Sequence, residues 1–140
     1  GQVKDGTFVE LTKIRLSGDR KKTLVFLQFK DSQVIAHFAD VDLTSLKNGQ
    51  KLLYNASGLP IRGLFGKQSI SLQPHQSTTV DETIMQVADK TYHVSLEAEL
   101  KGRWRREVNA KWFSDLTSKK VCIIMKDQRT GRLKIQSFNP

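Results

Sequence analysis

The sequence predicts an α+β fold dominated by antiparallel strands, and three observations carry that expectation. Short runs rich in Val, Ile, Leu, Phe and Thr recur through the first half, each bounded by turn residues, as pleated, half-buried positions favour. Between 91 and 100, Tyr92, Val94, Leu96, Ala98 and Leu100 alternate with Thr91, His93, Ser95, Glu97 and Glu99, which gives a strand one buried and one polar face. The helical share comes from apolar residues at helical spacing: Ile84, Val87 and Ala88, then the stripe Trp104, Val108, Trp112 and Leu116.

Taken in order, strands are expected over 7–16, 23–29 and 33–39, with turns at Ser17-Gly-Asp-Arg20 and Lys30-Asp-Ser32. Residues 40–49 read as one or two helical turns, with Asp40 or Asp42 as N-cap and Asn48-Gly49 as a left-handed stop. Strands at 51–54 and 68–72 enclose a segment, 55–66, whose three glycines and one proline mark an irregular loop. Residues 74–79 read as a linker. A short helix at 81–89, the alternating strand, a basic helix at 104–116, a strand at 121–125 and a return strand at 132–138 complete the chain. Asp127-Gln-Arg-Thr-Gly131 makes the last two a hairpin.

The order strand, strand, strand, short helix, strand, strand over about 7–73 resembles the five-stranded oligonucleotide/oligosaccharide-binding (OB) barrel. That resemblance implies a ligand groove near Phe26, Gln28 and His37, flanked by loops at 17–22 and 55–67. The 140 residues are therefore expected to form one compact domain, with a subdivision into an OB-like half (1–73) and a basic αβαββ half (80–140). The opening Gly1-Gln2-Val3 lacks a methionine, as a fragment of a longer protein would.

Hydrophobic content of 38% and charged content of 26% describe a folded chain. The formal net charge is +9, and it is uneven: residues 101–134 hold 11 Lys and Arg against Glu107, Asp115 and Asp127. Both tryptophans lie in the same stretch, Lys101-Gly-Arg-Trp-Arg-Arg-Glu-Val-Asn-Ala-Lys-Trp-Phe113. Cations release counterions from phosphates, and Trp and Arg planes stack on bases. The expected function is nucleic-acid binding, DNA before RNA, through Arg103, Arg105, Arg106, Lys111, Lys119, Lys120, Arg129 and Arg132. Arg20, Lys21 and Lys22 extend the path, and Trp104 is a candidate for stacking. Such a domain fits a replication, recombination or transposition machine, with other proteins of that machine as partners. No membrane-length apolar stretch is present, and lone Cys122, in the apolar run Val121–Met125, reads as a packed thiol in an intracellular protein.

Catalytic signals are sparse. The sequence lacks a P-loop, a dinucleotide fingerprint, an HExxH or a nucleophile elbow. His37, His75, His93 and Cys122 lack zinc spacing. One pattern, Asp89 followed by Glu99-Leu-Lys101 at a strand end, resembles the acid, acid-x-lysine site of restriction-type nucleases. That alternative implies Mg²⁺ held by Asp89 and Glu99, with Lys101 at the phosphate. Without it no cofactor is expected. A third alternative is a basic module docking an acidic protein.

Overall fold

The computed structural model describes residues 2–4, 7–9, 24–30, 33–39, 43–85 and 90–140. The chain divides into two compact units, Gly1–Asp42 and Leu43–Pro140. The first unit contains two antiparallel pairs. β1 (Gln2–Lys4) pairs with β2 (Thr7–Val9), and β3 (Leu24–Lys30) pairs with β4 (Gln33–Ala39).

The second unit consists of two four-stranded sheets. Its strands are β5 (Gln50–Asn55), β6 (Ile61–Phe65), β7 (Gln68–Leu72), β8 (Ser77–Asp81), β9 (Thr91–Leu100), β10 (Arg103–Phe113), β11 (Lys120–Lys126) and β12 (Leu133–Phe138). One sheet has the order β10-β9-β6-β7 and is antiparallel throughout. The other has the order β12-β11-β5-β8, with β5 and β11 parallel. Ile61, Phe65, Ile70, Leu72, Tyr92, Val94, Leu96 and Ala98 of the first sheet share one apolar cluster with Leu53, Val80, Cys122, Ile124 and Leu133 of the second. The unit is thus a sandwich of two sheets that pack on each other through one face of each. β11 is apolar at every central position because its other face is buried too, with Val121 and Ile123 beside Leu52 and Tyr54 of β5. Burial pushes the Cys122 thiol up to about 11, so at neutral pH it remains a packed thiol.

This architecture corrects the expected α+β fold. The OB-like half at 7–73 is not a barrel. β3 and β4 form a two-stranded sheet of their own, while β5, β6 and β7 belong to the sandwich. The ligand groove implied near Phe26, Gln28 and His37 falls with the barrel. The capped helical turns at 40–49 are turns without helix over 43–49; Asp40 and Asp42 lie outside the described residues. The helix at 81–89 reduces to a 3-10 turn, Glu82–Ile84, with 86–89 outside the described residues. The basic helix at 104–116 is strand β10.

Two stretches read as loop and linker are also strands. β6 lies inside 55–66 because Gly63 serves close approach: a Cβ there would sit 2.0 Å from the Ser95 carbonyl oxygen of β9. Buried Asn55 fixes the segment before it. Its Nδ2 donates to the carbonyls of Leu59 and Leu72, and its Oδ1 accepts from Ser57. Residues 77–79 of the expected linker continue with 80 and 81 as β8, which pairs with β5 and buries Val80.

The β10–β11 connection is held by Asp115. Its carboxylate accepts from the Ser118 hydroxyl (2.5 Å) and from the Thr117 hydroxyl and amide (2.6 and 3.0 Å), with Lys120 3.8 Å away. These hydrogen bonds, and then the Lys120 charge, hold its carboxyl well below the ordinary value of 3.8. A carboxylate depressed in the folded state stabilises the fold above its unfolded pKa, and that contribution drains away as pH falls toward the folded value. Thermal melts on an acid series should therefore show stability falling below about pH 4, with a shallower decline in Asp115→Asn.

Candidate nucleic-acid interface

β10 is an edge strand, eleven residues long, and it carries four cations, Arg103, Arg105, Arg106 and Lys111. It is reached through a two-residue hairpin: Lys101 and Gly102 both have positive φ, 51° and 75°, and Leu100 faces Arg103. That pattern matches the right-handed twist of paired strands. Arg103, Arg105, Arg106 and Lys111 are all exposed. Charge on an edge strand also keeps it from pairing with another sheet.

The register of β10 against β9 decides where each side chain points. Trp104 faces Glu99, Arg105 faces Ala98 and Arg106 faces Glu97; then a bulge intervenes and Val108 faces Leu96. Glu107 is the extra residue. The bulge inverts the alternation, so Trp112 faces buried Tyr92 and packs on the core, while Trp104 lies on the outer face with Glu97 and Glu99. Two tryptophans eight residues apart, expected on one stripe, occupy opposite faces.

On the outer face, the Arg62 guanidinium of β6 lies 4.2 Å from the centroid of the Trp104 ring, and its Nε donates to Glu97 at 2.7 Å. Beside this group is a shallow hollow of about 460 Å³ between Arg62, Leu64, Ser69, Ser71, Ser95 and Arg106. A second hollow, about 530 Å³, opens at the bulge between Arg106, Glu107, Asn109, Thr130 and Arg132. Both fall within the size range of small-ligand sites. Arg106 lines both and so joins them along the strand.

The remaining sequence candidates are dispersed. Arg129 and Arg132 occupy the β11–β12 connection, where Arg132 Nε is 3.6 Å from Glu107 Oε2. Lys119 and Lys120 lie at the start of β11, with Lys120 paired to Lys51 in the parallel register. Arg20, Lys21 and Lys22 lie outside the described residues. For the nuclease pattern, Glu99 is on the outer face of β9 beside Trp104, Lys101 is in the hairpin turn, and Asp89 lies outside the described residues. Among the described residues no three His, Cys, Asp or Glu side chains gather as a metal site, and no helix is long and apolar enough to cross a membrane. The sequence missed Arg62, which its own neighbourhood gives no reason to single out; only the β6–β9 pairing brings it to Trp104. Comparison with protein-family models, curated proteins and solved structures gives no match.

Proposed function

We propose that the unit Leu43–Pro140 binds single-stranded nucleic acid along the β10 edge. The observation that carries this reading is the edge strand itself: four exposed cations, of which Arg106 and Lys111 share the outer face with Trp104 while Arg103 and Arg105 stand on the other side of the edge, and a single acid, Glu107, recessed in the bulge. Residues two apart on a strand are about 6.6–6.8 Å from each other, so Arg103 and Arg105 on one side of the edge and Arg106 and Lys111 on the other follow it as a line rather than a point. Arg and Lys on such a track meet phosphates, and the Arg62–Trp104 stack offers a planar surface to an unpaired base. An open sheet edge suits a flexible single strand, whose bases are free to turn toward the protein.

Four phosphate contacts on a single strand give a slope of log K against log salt of about −3. Changing Arg103, Arg105 and Arg106 together to Ala should reduce the slope by about 2 and weaken binding by a similar factor across sequences. Fluorescence anisotropy over a salt series checks both. The triple variant should melt like the parent, since these side chains are exposed. Salt-independent affinity in the parent, or unchanged binding in a folded triple variant, overturns the assignment.

A further inference from the structure

The bulge in β10 places an acid where a phosphate-binding strand would otherwise have none. Glu107 is only 11% exposed along its side chain, and its Oε2 is shut off from solvent without a hydrogen-bond donor. Arg132 Nε at 3.6 Å supplies charge but is too distant for a hydrogen bond. A carboxylate oxygen removed from water without a donor is costly. A bulge that turns it into a hollow is a common way to aim a functional side chain. The hollow also has apolar walls, Val108 and Leu133, and polar ones, Asn109 and Thr130. Arg106, its shared wall with the outer-face hollow, ties it to the proposed phosphate track.

We propose that this notch reads guanine in a single strand bound along β10, an assignment that rests on the nucleic-acid reading above. A carboxylate beside a guanidinium presents acceptors next to donors. Guanine answers both: its N1–H and N2–H₂ groups donate to the two oxygens of Glu107, and its O6 accepts from Arg132. Cytosine, adenine and uracil or thymine each offer the carboxylate one N–H group at their pairing edge, against guanine's two. Val108 and Leu133 supply apolar contact for the ring. Arg132 is two-thirds exposed, so it can turn from the carboxylate as a base enters without disturbing the core. The strand's phosphates remain on Arg103, Arg105 and Arg106, which position it without reading sequence.

The experiment is an anisotropy titration of the full chain with a short oligothymidylate and with the same strand carrying one central guanine, cytosine or adenine. The parent should bind the guanine strand roughly tenfold more tightly than oligothymidylate, within the range one bidentate base contact supplies. Glu107→Gln, which replaces one acceptor oxygen by an amide donor, should bring the preference to within about twofold, while oligothymidylate is still bound with a salt-dependent affinity that is retained or slightly raised, since a negative charge beside the phosphate track is gone. Arg132→Ala, on an exposed connection, should halve the preference or more, and it serves as a second probe if Glu107→Gln fails to fold. Salt-dependent binding with equal affinity for all four strands overturns the notch and leaves the phosphate track standing. A guanine preference that survives Glu107→Gln, or a cytosine strand that binds as tightly as guanine, also overturns it. Absence of salt-dependent binding to any strand overturns both readings.

Discussion

Lys51→Met is expected to cost about 3–5 kcal/mol, because it leaves a buried carboxylate without its counter-charge. Lys51 and Glu82 form an ion pair whose side chains are 5% and 0% exposed. Glu82 Oε2 also accepts from the Asp115 amide at 3.0 Å, and the Glu82 amide donates to the Gly49 carbonyl at 2.8 Å. The pair therefore fastens the 3-10 turn to β5 and to the β10–β11 connection. Burial, and with it the Lys120 charge, pushes the Lys51 ammonium below its ordinary value, opposed by the Asp115 carboxylate. Without Lys51, the buried Glu82 carboxylate keeps its charge only at a desolvation cost, which protonation removes. The penalty is then small below the unfolded carboxylate pKa and grows as pH rises through it. Urea unfolding of Lys51→Met across pH should show that trend, whereas loss of packing alone would be flat. The double variant Lys51→Met/Glu82→Leu should recover most of the loss, retaining about 1–3 kcal/mol for the Asp115 amide left without its acceptor. A single variant as stable as the parent would show that the pair contributes no net stability.

Nothing near Glu82 in sequence announces this role. Its partner is on a strand of the other chain half, and an acid after Asp81 reads as the first turn of a helix. Elements that declare themselves through local alternation fared better. β9 is the strand that 91–100 predicts, β11 and β12 are the hairpin expected across Asp127–Gly131, and β3 and β4 fall where 23–29 and 33–39 place them. What escaped local reading was long-range pairing. β6 looks like loop because Gly63 is also what close packing on β9 requires, and the parallel β5–β11 pair joins segments with no sequence link.

The basic segment shows why spacing misleads. Trp104, Val108, Trp112 and Leu116 recur every four residues, which is one face of a helix. Four is also an even number, so the same residues would share one face of a regular strand. Ala110 was the discriminating residue, since Val108-Asn-Ala-Lys-Trp112 alternates with period two and points to a strand. The Lys101-Gly102 pair was the other signal, a two-residue hairpin connection between Leu100 and Arg103. Arg103, Arg105, Arg106 and Lys111 were legible as a group because they fall within nine residues of one strand. Arg62 and the Glu107–Arg132 pair were not, because pairing and a bulge assemble them.

Trp112→Ala and Trp104→Ala should separate stability from binding. Trp112 packs edge-on against Phe65, ring centroids 5.5 Å apart, and against Tyr92 at 6.3 Å, both buried core residues. Removing it opens a cavity in the sandwich, at an expected cost of about 3–5 kcal/mol, a large share of the total stability of an ordinary domain. Trp104 lies on the opposite face beyond the bulge, with the Arg62 guanidinium on its ring. Its removal forfeits about 0.5–1 kcal/mol of exposed cation–π attraction, so the melt should shift little. Binding is the sensitive quantity there, because a base stacked on the ring contributes about 1–3 kcal/mol. Thermal melts and oligonucleotide titrations on both variants check the contrast. Equal destabilisation would place the two rings on one face and remove the parity change assigned to Glu107. A Trp104→Ala protein that melts and binds like the parent would confine the interface to the cations of β10.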